Sequence, residues 1–560
     1  MRLILPKASR GYVFDRLATF EMNDFDVERL LPSLFHVVVT RGHQRGGRVN
    51  DPSAVDRYLD ALANHARVKG FDGEVGHRLL DRWVRASIVR IGRSGRGRSG
   101  QEQVEYVLPL TILAYKPGLP AEIARQRKVH LFLYRVLLEV LYDVDAAPSP
   151  QAALSAIFTD AFGKGVVIGA APKYDGSYDG RAELDLHNLL TICYLDGFAP
   201  TEASKRERIV EFGPALPGVA EGIGRDLPRY ILAYVDRVPT LALTRGLMAL
   251  INFGLFAYTI KLMYATNYLV TNREWAPARH AHDFSDPELY VDFTRVRGGG
   301  SDALARACVE RDLEELRAFF ESSMRLRTLD RFVELQRDLK ARLEGLNTPT
   351  YLEALIGLSG ESGIEARAQA EIESIRHETI NSCVSEEERK EAQDYFEDIL
   401  RRTQGSSLDA AVQLLSDAQR KKAVESYVAW FWSTGGLRKS FGVLAGNLRG
   451  RRNWRYAMSD DLLATLVQLA LTEDPSGRLQ QVSVRPRLAI SEFLQFLYRR
   501  FGILVDRPPT FLDGSSARRA GKENLEGLKR RLHQMGFFEA LSDDFTAQYL
   551  RDPAIAEAVS

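Results

Sequence analysis

The most apolar stretch of the chain is residues 241–270, LALTRGLMALINFGLFAYTIKLMYATNYLV, where hydrophobic side chains occupy nearly every face of a helix. Only 15 uncharged residues separate Arg245 from Lys261, fewer than the roughly 18 to 20 that a helix needs to cross a membrane. Asn252 and Thr259 interrupt the stretch further. A helix that is apolar all round is covered by neighbours inside a large domain. The pattern therefore predicts a central buried helix and no membrane attachment.

Helical spacing of apolar residues dominates the rest of the chain, with extended segments near the N-terminus. Residues 35–39 (FHVVV) and 104–115 carry the β-branched and aromatic runs that are typical of strands. In residues 55–66 and 128–145 the apolar positions recur at helical intervals, and residues 301–433 are almost entirely helical in pattern. We therefore predict a mainly α, multi-domain protein with an α+β N-terminal part.

Four domains are predicted from changes in this pattern and from the helix-breaking residues Pro148 and Pro150. They are an α+β domain with a basic loop (1–147), a mixed α/β domain with the buried apolar helix (148–300), a helical domain with an acidic face (301–433) and a C-terminal domain (434–560). The length of 560 residues agrees with several domains, since one domain commonly has about 100 to 200 residues.

The C-terminal domain has the clearest pattern. Ser459, followed by two aspartates, is an N-cap signal for a first helix. Ser491 opens a second helix that Gly502 ends, and a third helix runs over residues 517–535. Alternation in residues 537–550 indicates a short hairpin. Three helices followed by a hairpin is the winged-helix plan, in which the third helix can enter the major groove of DNA, so we predict a winged-helix-like domain.

Charge and cysteine usage narrow the class of protein. The chain has 75 basic and 74 acidic residues, so its net charge indicates no partner. Cys193, Cys308 and Cys383 are far apart and form no CxxC pair, which argues against a disulfide framework or a cysteine zinc site. The apolar run before Lys7 is too short for a secretory signal. We therefore expect a protein of the reducing cytoplasm.

Basic segments supply the candidate DNA-binding residues. Residues 433–458 contain six Lys or Arg and no acid, with Trp454 and Tyr456 among them as candidate stacking surfaces. Residues 83–100 end in a glycine- and arginine-rich loop, and the third C-terminal helix has basic residues outside its apolar stripe. The candidate DNA contacts are Arg449, Arg451, Arg452, Arg455, Lys522, Lys529, Arg530, His533, Arg93, Arg96 and Arg98. An acidic protein surface or plain solvent exposure are the alternatives for the cluster at 449–455.

Motifs for metal, phosphate or catalytic chemistry are incomplete. Residues 175–180 match the first half of a calcium loop, but the twelfth position lacks the bidentate glutamate. His280 and His282 have no third ligand at metal-binding spacing. The glycines at 163–169 and 298–300 lack a phosphate-loop pattern, and are better explained as a turn and as a linker that ends in a helix cap. We predict no metal, no cofactor and no identifiable catalytic residue, so an enzymatic activity is not favoured.

Three C-terminal stretches carry a family resemblance: RYAMSDDLLATLVQLAL, FLYRRFGILVD and AGKENLEGLKRRLHQMGFFEALSDDFTAQYLRDP. Together with LYVDFT and the apolar helix, they resemble the large accessory proteins of bacterial anti-phage islands. A component of the methylation-associated defence systems is the nearest resemblance, and the accessory proteins of phosphorothioation-dependent restriction are a neighbouring alternative. The resemblance brings no catalytic residues. It implies a DNA-engaging subunit of a restriction arm that works with an ATPase or nuclease partner.

Three functions remain open from the sequence. The first is a non-catalytic DNA-binding or scaffold subunit of a multi-protein anti-phage restriction complex, which the winged-helix pattern and the basic segments favour. The second is a metal-dependent nuclease whose acidic residues are too dispersed to recognise. The third is a protein-only adaptor that docks an ATPase through residues 361–400, where 12 Asp or Glu stand against 4 Lys or Arg.

Overall fold

Helices build most of the structure. The computed structural model describes residues 3–45, 54–66, 69–93, 102–108, 110, 112, 127–141, 149–163, 166–168, 176–178, 203–207, 212–275, 287–540 and 548–556. Within these residues the α-helices are α1 (Val27–Val39), α2 (Ala54–Ala63), α3 (Glu74–Trp83), α4 (Val129–Val140), α5 (Pro150–Phe162), α6 (Pro217–Tyr234), α7 (Thr240–Asn272), α8 (Gly300–Glu334), α9 (Arg337–Leu343), α10 (Thr348–Gly357), α11 (Ser362–Ser382), α12 (Glu386–Arg402), α13 (Ser407–Thr434), α14 (Asp460–Leu471), α15 (Ile490–Phe501), α16 (Ser515–Gln534) and α17 (Pro553–Ala556).

Short strands pair in small sheets between the helices. In the described residues they are β1 (His43–Arg45), β2 (Val89–Arg93), β3 (Glu102–Val107), β4 (Val166–Ile168), β5 (Gly176–Tyr178), β6 (Ala203–Glu207), β7 (Leu289–Tyr290), β8 (Leu444–Asn447), β9 (Gly450–Tyr456), β10 (Thr472–Glu473), β11 (Ser483–Val484), β12 (Leu488–Ala489), β13 (Ile503–Leu504), β14 (Phe538–Ala540) and β15 (Gln548–Leu550). The sheets are β1-β6, β2-β3, β4-β5, β7-β13, β8-β9, β10-β11 and β12-β15-β14. Among these pairs β7 and β13 run parallel, and the others run antiparallel.

Helix α7 lies at the centre because its sequence offers no polar face. Helices α1, α6, α8, α13 and α14 pack against it. In the described part of the chain it is the one helix long and apolar enough to cross a membrane, and its most apolar window is fully buried inside the protein. Two polar side chains are satisfied there: Asn252 Nδ2 donates to the Thr434 carbonyl at 2.5 Å, and Thr259 Oγ1 accepts from Trp430 Nε1 at 2.9 Å. The predicted buried helix is confirmed.

One predicted strand is a helix. Residues 35–39 form the last turns of α1, which begins after the N-cap Asp26. A run of β-branched residues suits a strand, but α4, α5 and α7 bury this segment, and burial outweighs the intrinsic preference. Helices α2 and α4 lie where helices are predicted at 55–66 and 128–145, and β3 covers the first part of the extended segment predicted at 104–115. Residues 142–145 and 113–115 of these predictions lie outside the described residues.

The C-terminal elements lie close to their predicted positions. The Ser459 side chain accepts from the Leu462 N–H and starts α14, and Gly502, at φ 68°, ends α15. Helix α15 begins at Ile490, one residue before the predicted Ser491, without a side-chain cap. Strands β14 and β15 pair in the predicted hairpin, and β12 adds a third strand. This element order is the one that a winged helix requires, and the assignment to that fold stays a prediction.

Contacts cross all three of the predicted domain boundaries, since β1 pairs with β6 and α4 packs on α6. Strand β13 pairs with β7, helix α14 packs on α6 and α7, and β9 packs on α8. Buried hydrophobic residues from Leu5 to Leu550 form one continuous cluster. The mainly α class is confirmed, and the boundaries of the four domains stay predictions.

Candidate nucleic-acid interface

The predicted arginine cluster at 449–455 lies on the β8–β9 hairpin. Asn447 pairs with Gly450 and closes a two-residue turn, and Ala445 pairs with Arg455 further down the hairpin. Between these two pairs, one residue of β8 stands opposite four residues of β9. Strand β9 therefore bulges away from β8, and a bulge of this kind re-aims the side chains that it carries.

Residues 446–453, which we name the arginine tip, depend on a glycine. Gly446 has φ +144°, and a Cβ at this position would lie 2.7 Å from Trp454 Cδ1. Any other side chain would be strained and would collide with the indole. Arg451 and Arg452 are both exposed, although consecutive residues of a regular strand point to opposite faces. The bulge therefore presents both arginines to solvent.

The arginine tip concentrates positive charge without neutralising it. Arg449, Arg451 and Arg452 are exposed, and none of them has an acidic partner among the residues that the structure describes. Asn447 and Asn453 are exposed beside them, and residues 446–453 contain no acid. Each guanidinium keeps its planar set of N–H donors free for an anion, and this geometry matches both phosphate and carboxylate.

The aromatic residues of β9 anchor the tip and do not face solvent. Trp454 is 1% exposed and Tyr456 is fully buried. The indole stacks on Phe431, with ring centroids 6.2 Å apart, and its Nε1 donates to the Asn447 carbonyl at 2.8 Å. The expectation that Trp454 and Tyr456 form stacking surfaces for bases was wrong, because both side chains point into the core.

Tyr456 ends in a buried polar network around Asp312 of α8. Its hydroxyl donates to Asp312 Oδ2 at 2.6 Å, while Tyr264 Oη and Arg311 Nε donate to Oδ1 at 2.7 and 2.9 Å. Burial raises the pKa of the Asp312 carboxyl, and these three donors oppose the rise. Burial, followed by the charge of Asp312, also raises the pKa of Tyr456, so its hydroxyl stays a donor at neutral pH. The network holds β9 on α8.

Arg455 turns towards the protein and pairs with the first turn of α8. Its Nε lies 3.1 Å from Asp302 Oδ1, and Arg306 Nε lies 3.1 Å from Oδ2 of the same residue. The Gly298 N–H also donates to Asp302 Oδ2. The start of α8 is thus occupied by the protein's own carboxylate, which agrees with the helix-cap interpretation of residues 298–300. Arg455 positions the hairpin, and its side chain is not free for a ligand.

Helix α16 carries the second predicted basic surface. Lys522, Arg530 and His533 are exposed on its outer face. Lys529 Nζ lies 2.8 Å from Glu526 Oε1, so part of its charge is neutralised. The exposed acids Glu523 and Glu526 lie among these basic residues, so positive charge is less concentrated on α16 than at the arginine tip.

The inner face of α16 fixes its position against the centre of the fold. The Asn524 side chain accepts from the Phe293 N–H at 2.6 Å and donates to the carbonyls of Val291 and Val505 at 2.8 and 3.0 Å. A Cβ at Gly300, in the first turn of α8, would lie 3.0 Å from Ala520 Cβ. The first turn of α8 therefore contacts both α16 and the base of the arginine hairpin.

The other sequence candidates lie wholly or partly outside the described residues. Arg93 ends β2 and its side chain is not described, while Arg96 and Arg98 lie outside the described residues. Of the calcium-like segment 175–180 only β5 is described, and the histidine pair at 280 and 282 is not. Within the described ranges, no group of three or more His, Cys, Asp or Glu side chains is placed to hold a metal ion.

Helices α11 and α12 carry an acidic surface. Helix α12 begins with a capping box between Ser385 and Glu388, and its exposed acids include Glu387, Glu391 and Asp394. Val384, in the preceding turn, is 94% exposed. The acidic segment predicted at 361–400 is thus a solvent-exposed face of α11 and α12.

Sequence comparison extends the resemblance beyond the C-terminal stretches. Residues 7–553 match the family model described as methylation-associated defense system protein MAD7. The chain belongs to this family. No curated protein matches the chain. The matched residues include nearly all of the described helices and the arginine hairpin. Membership makes the chain a component of an anti-phage defence system and implies other proteins of that system as partners.

Proposed function

We propose that the chain is a DNA-binding scaffold subunit, without catalysis of its own, in a multi-protein anti-phage restriction complex. The observation that carries the proposal is the arginine tip, where Arg449, Arg451 and Arg452 are exposed and unneutralised within the described residues. Three such cations within eight residues match the spaced negative charges of a nucleic-acid backbone. The anchoring of the tip through Trp454 and Tyr456 keeps it ordered before binding, which lowers the entropic cost.

The outer face of α16 is the proposed second contact. Lys522, Arg530 and His533 are exposed there, and the first turn of α8 joins this helix to the base of the hairpin. In a winged-helix arrangement the third helix approaches the major groove. The arginine tip supplies phosphate contacts in this proposal, and α16 orients the duplex.

A protein-only adaptor is the second candidate, and the acidic face of α11 and α12 favours it. Exposed acids next to the exposed Val384 are suited to a basic partner surface, such as one on an ATPase or nuclease of the same system. The two functions are compatible, since the acidic face and the arginine tip lie on different elements. No observation in the described residues favours the nuclease alternative.

The proposal is tested with the triple variant Arg449→Ala/Arg451→Ala/Arg452→Ala. Binding of the full chain to fluorescent double-stranded DNA is measured across a salt series. Each phosphate contact contributes about −0.9 to the slope of log K against log salt, so loss of three contacts should flatten the slope by about 3. We expect binding at low salt to weaken by at least about tenfold, with little dependence on DNA sequence.

The matched control is Arg389→Ala/Arg401→Ala/Arg402→Ala on α12. It makes the same change in net charge, but each of these arginines pairs with an acid of its own helix. The control should keep the wild-type slope and affinity. The assignment of DNA binding to the tip would be overturned if both variants lost the same affinity for DNA. It would also be overturned if the affinity of the wild type did not depend on salt.

A further inference from the structure

A groove of about 780 Å³ lies between the N-terminal segment and helices α12 and α13. Its walls combine apolar residues of the segment, including Leu3 and Leu5, with Tyr12 and Tyr395 and with polar side chains of α13. Pockets that hold small molecules usually have about 300–1,000 Å³ and such mixed walls. The groove is distant in sequence from the arginine tip and uses none of its residues, so its function is a separate question.

The rim of the groove carries two cations that the described residues do not neutralise. Arg10 is exposed, and its Nε donates to the Leu5 carbonyl at 2.9 Å, which holds the guanidinium at the rim. Lys422 is exposed on the opposite wall. The lining also includes one acid, Asp417, whose carboxylate accepts from Tyr395 Oη at 2.8 Å and lies 3.4 Å from Arg420 Nη2. The acid is thus satisfied, and the two cations remain available to an anion.

Two arginines of α8 hold the N-terminal segment in place. Arg331 contacts Ser9, next to Arg10, and pairs with Glu371 at 3.0 Å. Arg327 Nε donates to the Val13 carbonyl at 3.1 Å. Burial, followed by the neighbouring charge of Arg331, lowers the pKa of Arg327. The two arginines position the N-terminal wall of the groove.

A buried acceptor without a donor lies in the wall of the groove. Gln419 is 7% exposed, and its Nε2 donates to the Ser9 carbonyl at 3.0 Å. Its Oε1 is buried and has no hydrogen-bond partner in the described part of the chain. A buried amide oxygen left unpaired costs about 1–3 kcal/mol. Because this Oε1 atom is closed off from solvent, Gln419 shapes the wall of the groove without offering the oxygen to a ligand there.

We infer that this groove binds a nucleotide. Arg10 and Lys422 would hold the phosphates, and the apolar residues and Tyr12 would cover the base. Inorganic phosphate satisfies only the first of these contacts and is far smaller than the groove. The assignment does not depend on DNA binding by the arginine tip.

Isothermal titration calorimetry of the full chain with ATP and with inorganic tripolyphosphate tests the inference. The wild-type chain should bind ATP at least about tenfold more tightly than tripolyphosphate, because only ATP carries a base for the inner wall. The variant Arg10→Ala/Lys422→Ala should weaken ATP binding by about tenfold or more, since a charge-assisted hydrogen bond is lost at each end.

The matched control is Lys7→Ala/Lys421→Ala, which removes two exposed cations next to Arg10 and Lys422 that are outside the groove lining. It should bind ATP like the wild type, and so should the triple variant of the arginine tip. The inference would be overturned if the wild type did not bind ATP or bound ATP and tripolyphosphate equally well. It would also be overturned if the groove variant and its control lost the same affinity for ATP.

Discussion

Single buried polar residues join the arginine tip to the core. Asp312 lies at the centre of this junction, since it accepts from Tyr264, Arg311 and Tyr456, which come from α7, α8 and β9. A carboxylate removed from water is tolerable only when hydrogen bonds and a countercharge compensate it. The hydrogen bond from the Tyr456 hydroxyl therefore stabilises the Asp312 carboxylate and also fixes the position of β9.

We expect Tyr456→Phe to lower the free energy of unfolding by about 1.5–3 kcal/mol, the usual value for a hydrogen bond to a charged group. The control is Tyr12→Phe, which removes a hydroxyl that donates to the neutral Ser426 Oγ at 2.9 Å. Tyr12→Phe should lower the free energy of unfolding by about 0.5–1.5 kcal/mol. Chemical denaturation followed by circular dichroism compares the two variants with the wild type.

The stability lost in Tyr456→Phe should depend on pH, because the lost hydrogen bond ends on the Asp312 carboxyl. Because burial raises the pKa of Asp312 above its ordinary value, the carboxyl gains a proton at a higher pH than an exposed aspartate does. Tyr456→Phe should therefore cost the most stability while the Asp312 carboxylate is ionised. The cost should become smaller as the pH falls through the raised pKa. A loss that matches Tyr12→Phe at neutral pH would mean that Asp312 is already protonated there.

At the scale of elements, sequence patterns identified helices well and the arginine hairpin poorly. The N-cap Ser459 and the terminal Gly502 are local signals, and both define helix ends in the structure. The bulge of β9 inserts three extra residues, so the two-residue alternation that reveals a strand is broken. The basic composition of the tip is evident from the sequence. The burial of Trp454 depends on Phe431 of α13 and could not be predicted from the local sequence.

We expect Gly446→Ala to distort the hairpin and to weaken DNA binding in parallel. The strained backbone at φ +144° and the contact with Trp454 should cost about 1–3 kcal/mol of stability. The control is Gly357→Ala at the end of α10, where a Cβ meets nothing within 4 Å. Alanine there should be neutral or stabilising by about 0.4–1 kcal/mol. Thermal melts and the salt series with DNA measure both effects, and unchanged DNA binding by Gly446→Ala would show that the tip does not need its bulge.

At the scale of the whole molecule, the helices share one hydrophobic core around α7. The apolar pattern of this helix was sufficient to predict its burial, because every face needs a protein neighbour. The neighbours themselves were not predictable, since α1, α6, α8, α13 and α14 come from distant parts of the chain. The same limit applies to the candidate sites: Arg10 and Lys422 form one groove only because the N-terminal segment packs on α13.

This shared core makes a specific prediction for the isolated C-terminal segment, residues 434–560. Its strand β13 would lose the partner β7, Tyr456 would lose Asp312, and the buried Asn524 would lose its bonds to Phe293 and Val291. We expect the fragment alone to melt without cooperativity and to show less helix by circular dichroism than the same residues have in the full chain. Co-expression with residues 1–433 should recover it as a stable complex, because the missing partners are then present. A cooperative melt of the fragment alone would instead make 434–560 an independent folding unit, as its sequence pattern predicts, and would allow its DNA binding to be measured in isolation.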